Sequence, residues 1–138
     1  MLRKKVTKME KKKMALTLLL GALHYCASEL VNIDPAYKQK LTGIDIVFQY
    51  KTEPDGPNSY AILKDSRIEY KIDAIHENPT FVVTTNDLDL ALKIFKGKYL
   101  ISEAIKQGDV EVIGDKQEIL KYTFFLEDLV PYLGDLTG

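Results

Sequence analysis

The period of the apolar pattern changes several times along the chain, and each change marks a candidate element. From about Lys8 to Val31 it is helical: Leu16, Leu19, Leu20, Leu23, Ala27, Leu30 and then Ile33 run opposite Thr17, Gly21, His24, Ser28 and Asn32. This is the stripe of an amphipathic helix. Asp34-Pro35 ends it, because a residue before proline disfavours helical dihedrals. Period two follows, as Ile44, Ile46, Phe48 and Tyr50 alternate with Asp45, Val47, Gln49 and Lys51, the mark of a half-buried strand. Glu53–Asn58 is a turn cluster centred on Asp55-Gly56. Tyr60–Leu63 is a second strand with Ile62 directed inward, and Lys64-Asp65-Ser66 turns it back. Arg67–Asp73 is a third strand, with Ile68, Tyr70 and Ile72 facing in; Thr80–Thr85 is a fourth, after Asn78-Pro79. Such short connections predict an antiparallel meander.

The period then returns to 3.6. Asn86 serves as N-cap with Asp87 and Asp89 in the first turn, where carboxylates complement the helix dipole. Leu88, Ala91, Leu92 and Phe95 form the buried face, and Gly97 fits the position just past the helix end. A short helix covers about Leu100 to Gln107 and stops at Gly108; Val110–Ile113 is a fifth strand. Asp115 with Glu118 resembles a capping box. It opens a last helix rich in apolar residues, among them Phe124, Phe125, Leu129 and Val130, which Pro131 bends or ends. Its apolar positions cover more than one face, so it is enclosed, paired with another surface, or beside an apolar cavity. The pattern as a whole predicts an α+β fold over 1–138 as one domain, with a five-stranded, largely antiparallel sheet covered by helices.

Composition narrows the function. The chain of 138 residues, 46% hydrophobic and 28% charged, is large enough to bury a core unaided by metal or disulfide. A lone cysteine, Cys26, permits no intrachain disulfide and reads as a small hydrophobe on a helix. Charge is segregated: residues 1–13 hold seven basic side chains against Glu10, a local +6, and the remaining 125 residues hold twelve basic and nineteen acidic ones, a net −7. The basic arm is either a solvated tail or a foothold on anionic membrane through residues 3–13. Basic residues before Met14–Leu23 also have the layout of a signal peptide. The amphipathic stripe and the lack of about 18 consecutive apolar residues favour a cytoplasmic, helical reading instead.

Chemistry is sparse. His24 and His76 stand in no metal-ligand spacing and beside no nucleophile, so neither a metal nor a cofactor is expected. Gly108 and Gly114 flank a strand instead of a strand-to-helix turn, so they form no phosphate loop. The acidic body opposes nucleic-acid binding. No catalytic constellation is visible, and the chain is expected not to be an enzyme. Apolar capacity remains: Phe48, Tyr50, Tyr70 and Phe81 on strands face Leu92, Phe95, Ile101, Ile105, Phe124, Phe125 and Leu129 on helices. Dense mutual packing is the plain outcome.

One stretch adds a resemblance. Phe81-Val-Val-Thr-Thr-Asn-Asp-Leu-Asp-Leu-Ala-Leu-Lys-Ile-Phe-Lys-Gly-Lys98, then Ile105-Lys-Gln-Gly-Asp-Val-Glu-Val-Ile-Gly-Asp115, resembles the sterol carrier protein type-two-like family, with the likeness covering about residues 40–122. It implies a sterol-carrier-like fold and a tunnel between sheet and helices. That tunnel would hold a fatty acid, acyl-CoA or sterol-like molecule, with no catalytic residues. The implied lining is Phe81, Val83, Leu92, Phe95, Ile101 and Ile105, to which the sequence adds Phe48, Phe124, Phe125 and Leu129. Lys98 or Gln107 would hold a head group. The end Leu136-Thr137-Gly138 is no peroxisomal tripeptide. The aromatic C-terminal helix would either fill the tunnel or pair two copies as a non-catalytic interaction module.

Overall fold

The computed structural model describes residues 5–129 and 131–133. Arg3, Lys4, Val130 and the terminal Leu136-Thr137-Gly138 therefore lie outside the described residues. Helix α1 is Lys8–Ile33 and α2 is Pro35–Lys40; β1 is Ile46–Thr52, β2 Ser59–Lys64, β3 Arg67–Ile72 and β4 Phe81–Thr85. Then come α3 Leu88–Phe95, α4 Ile101–Gln107, β5 Glu111–Ile113, α5 Lys116–Leu120 and α6 Phe124–Glu127. The fold is α+β, and the sheet runs β3-β2-β1-β4-β5.

The first three strands form the expected meander, but the fourth does not extend it. β4 lies on the far side of β1 and pairs with it in parallel, with Phe48 opposite Phe81. The segment 73–80 must therefore cross the sheet, and it does so over the face away from the helices. Gln49 fastens it there: its Nε2 donates to the carbonyls of Ser59 and Ala74, and its Oε1 accepts from the His76 amide. Tyr60 and His76 stack edge-on above the same face, ring centres 5.1 Å apart. Gln49 is buried for this reason, although strict alternation assigns it to solvent. Ile62 differs from expectation on the same grounds. It is paired with Val47 and Glu69 on the crossed face, while Ala61 and Leu63 occupy the inner one.

Helix α1 begins with a capping box between Thr7 and Glu10. Leu16, Leu20, Leu23, Ala27, Leu30 and Val31 are buried in the core, and α1 packs on α3 and β3. It is longer than predicted, and Asp34 both ends it and caps α2, accepting from the amides of Ala36 and Tyr37. Ile33, placed on the apolar stripe by spacing, is exposed, whereas His24 from the polar stripe is buried. The neutral ring of His24 satisfies itself by donating from Nδ1 to the Leu20 carbonyl at 2.7 Å. It lies against Tyr70 with ring centres 5.6 Å apart, and burial pushes its pKa down to about 4. By length and composition α1 is also long and apolar enough to cross a membrane, although Thr17, His24, Ser28 and Asn32 leave it without about 18 consecutive apolar residues. Met14, Leu18 and Tyr25 sit exposed on its outer side.

The N-cap of α3 is Asp87 and not Asn86; its carboxylate accepts from the amides of Asp89 and Leu90. The predicted last helix is broken. α5 and α6 are separate turns joined through 121–123, and residues 131–133 are again helical. Around the break the aromatic residues have separate partners: Tyr122 meets Phe81, Phe124 meets Tyr37 and Phe125 meets Phe48.

Candidate functional site

The sheet-borne candidates Phe48, Phe81 and Val83 share the helix-facing side of β1 and β4. The C-terminal segment meets them directly. Phe125 stands edge-on to Phe48 with ring centres 5.2 Å apart, Phe81 lies 6.5 Å from Phe48, and Tyr122 covers Phe81 at 5.6 Å. Phe95 of α3 packs edge-on against Tyr50 at 4.7 Å. Aromatic pairs of this kind contribute about 0.5–1.5 kcal/mol each beyond the area they bury. Rings thus fill the middle of the layer between sheet and helices.

The remaining candidates divide among three places. Leu92, Ile105 and Leu129 are buried in the core, and Leu92 also reaches a cleft beside α1. Phe124 is half-buried, 6.0 Å from Tyr37, with the Lys40 ammonium 5.5 Å above its ring. Phe95 and Ile101 alone of the ten meet at an apolar slot, lined further by Leu23, Ile94, Tyr99 and Leu126. Gly97, Leu100 and Glu127 complete its rim. In this conformation the slot volume is about 20 Å³, enough for roughly one water and far below the 300 Å³ or so of a small-molecule pocket.

The walls of the slot are joined by specific bonds. Leu100, at the N-cap of α4, supplies no side-chain cap, and Glu127 of α6 takes that role by accepting from the Ser102 amide at 2.9 Å. Tyr37 donates its buried hydroxyl to the Phe125 carbonyl at 2.9 Å, tying α6 to α2. Burial raises the Tyr37 phenol well above its usual range. At the outer edge Tyr99 donates to Asp109 at 2.7 Å, and that bond pushes the phenol up to about 12. Cys26 is half-buried, and burial raises its thiol pKa, which keeps it protonated and unreactive. Among the described residues no group of three His, Cys, Asp or Glu side chains is placed to hold a metal.

Sequence reasoning missed Leu23, Ile94, Tyr99, Leu126 and Glu127. Ile94 and Leu126 adjoin residues that it named, so helical neighbourhood was a usable signal. Nothing local marks Tyr99 or Glu127, which join the slot through tertiary contact. Lys98 lines the cleft beside α1, and Gln107 is exposed at the end of α4.

This architecture is the sterol carrier protein 2-like fold. The similarity is structural. A conserved hypothetical protein of Thermus thermophilus, described as possibly a sterol carrier protein, superposes with a TM-score of 0.64 at 17% identity, covering 83% of this chain and 86% of its own. The crystal structure of sterol carrier protein 2 gives 0.62 at 14% identity, covering 83% of this chain and 95% of that one. The inverting sec-alkylsulfatase Pisa1 of a Pseudomonas species matches 65% of this chain at 20% identity and a TM-score of 0.50; the match spans 14% of that enzyme. No protein-family model matches the sequence, and no curated protein matches it at a significant level.

Proposed function

We propose that this protein is a non-catalytic, cytoplasmic carrier for an apolar, lipid-like molecule that enters at the slot between α1, α3, α4 and α6. The observation that carries the reading is the slot itself: an apolar seam whose one wall, α6, is four residues long. A chain wide enough for a lipid tail needs that wall to part. Methylenes of the ligand then replace apolar contacts that Phe125, Leu126 and Leu129 surrender, while the Tyr37–Phe125 and Ser102–Glu127 hydrogen bonds must yield. Each ligand methylene leaving water contributes about 0.8 kcal/mol. Candidates buried deeper in the layer, Phe48, Phe81, Val83, Leu92 and Ile105, then become lining in the open form, with the half-buried Phe124 at its edge.

The exposed outer face of α1 supports a membrane contact for loading. Met14, Leu18 and Tyr25 present apolar surface beside the basic arm of residues 3–13, the composition of an interfacial helix on anionic lipid. Pairing two copies through the C-terminal segment has less support, because Phe125, Leu126 and Leu129 face the chain's own core. Displacement of a fluorescent fatty acid by unlabelled fatty acid tests the carrier reading. Saturable, competable binding at one site per chain is expected; a signal that scales linearly with added protein and resists competition would defeat it.

A further inference from the structure

Lysines converge on a second concavity that adjoins the slot. Between α1 and the end of α3 lies a cleft of about 500 Å³ lined by Lys11, Lys12, Lys93, Lys96 and Lys98, with Asp89 the carboxylate among its lining residues. Asp89 pairs with Lys12 at 2.7 Å, and five lysines line the cleft against this one carboxylate, on a chain whose residues 14–138 carry −7. Lys93 is held over the Tyr99 ring at 5.7 Å. Ala15 and Leu92 give the cleft an apolar lining.

The turn after α3 joins the two sites. The Lys98 amide donates to the Lys93 carbonyl and the Gly97 amide to that of Ile94, with Gly97 at φ 79°, the geometry that closes a helix with a left-handed residue. Lys96 and Lys98 thereby line the cleft, whereas Gly97, Tyr99 and Leu100 line the slot. A lysine in a last helical turn complements the dipole, and that accounts for Lys93. It does not account for Lys11 and Lys12, which come from the opposite helix.

We infer that the cleft is a head-group site for an amphiphile bearing a phosphate, whose apolar tail crosses the 96–100 turn into the slot. Ammonium groups on flexible stems bind phosphate as point charges from several directions. A dianionic phosphate compensates several of them, whereas a fatty carboxylate offers a single charge. The inference rests on the carrier reading and narrows its ligand class.

The test titrates the full chain with decyl phosphate, 1-decanol and inorganic phosphate, followed by amide and methyl NMR shifts. Decyl phosphate is expected to bind at least about tenfold more tightly than decanol, moving amides of residues 93–98 and methyl groups of Leu23, Ile94 and Leu126 together. Lys11→Glu combined with Lys96→Glu removes that advantage and leaves decanol binding unchanged. If the double variant does not fold, the salt dependence of the unaltered chain gives the same reading, since added salt narrows the gap between the two ligands. Equal binding of decanol and decyl phosphate overturns the head-group site and leaves the carrier reading standing. Inorganic phosphate binding as tightly as decyl phosphate overturns the joined site in favour of a free anion site. Absence of slot shifts with either amphiphile overturns both readings.

Discussion

Three buried side chains decide how the molecule responds to perturbation. His24 is neutral in the fold, its pKa held near 4 by burial against an ordinary value of 6.5. The unfolded chain takes up a proton below pH 6.5 and the folded chain does not until about pH 4, so stability falls as pH drops through that window. The loss approaches about 3 kcal/mol at the low end. Denaturant melts from pH 7 to about pH 4 are expected to show it, and His24→Gln is expected to flatten that part of the curve. Gln49 is tied to the crossing segment by the Ala74 carbonyl and the His76 amide, and to β2 by the Ser59 carbonyl. Gln49→Ala strands buried polar groups and is expected to cost about 2–3 kcal/mol, read as a lower urea midpoint. Phe125 fills the centre of the layer against Phe48. Phe125→Ala is expected to cost about 3–5 kcal/mol and to enlarge the space available to an apolar ligand. A weaker fold that binds the fluorescent fatty acid more tightly is the expected pair of results.

Among the elements, β5 shows how closely packed the ring layer is. A Cβ on Gly114 would sit 2.9 Å from the Phe81 ring, and the residue's φ is 118°. Gly114→Ala is therefore expected to destabilise by about 1–3 kcal/mol, measured by thermal melting. The elements themselves were largely legible. Ile68 and Tyr70 on β3, or Ala91, Leu92 and Phe95 on α3, follow one period cleanly because each element has one buried face. Legibility failed where both faces are covered or pairing is remote. Ile62 and Gln49 were assigned to the wrong environments because the segment 73–80 buries the second face of the sheet. The parallel pairing of β4 with β1 leaves no local trace, since a short loop fits a meander equally well. The apolar run through 119, 120, 122, 124, 125 and 126 reads as one continuous helix, and its break between Leu120 and Phe124 leaves no local signal. The same holds for the slot, whose members Tyr99 and Glu127 sit far apart in sequence and meet only in the folded chain.

At the scale of the whole molecule, charge and apolar surface are arranged together. The lysine cleft, the exposed Met14, Leu18 and Tyr25 of α1, and the slot all involve α1 or its immediate neighbours. Co-sedimentation with vesicles is expected to be strong for phosphatidylserine-containing lipid, weak for phosphatidylcholine alone, and lost at high salt. Leu18→Glu is expected to reduce it without altering the fold. The central claim is that the seam between α6 and the α3–α4 turn opens to admit an apolar chain. The most direct measurement follows the methyl NMR signals of Leu23, Ile94, Ile101 and Leu126 as 1-decanol is added. The account predicts saturable shifts at these four, with smaller ones at residues packed on the Phe125 ring. Unmoved methyl signals, with any response confined to the outer face of α1, would contradict it.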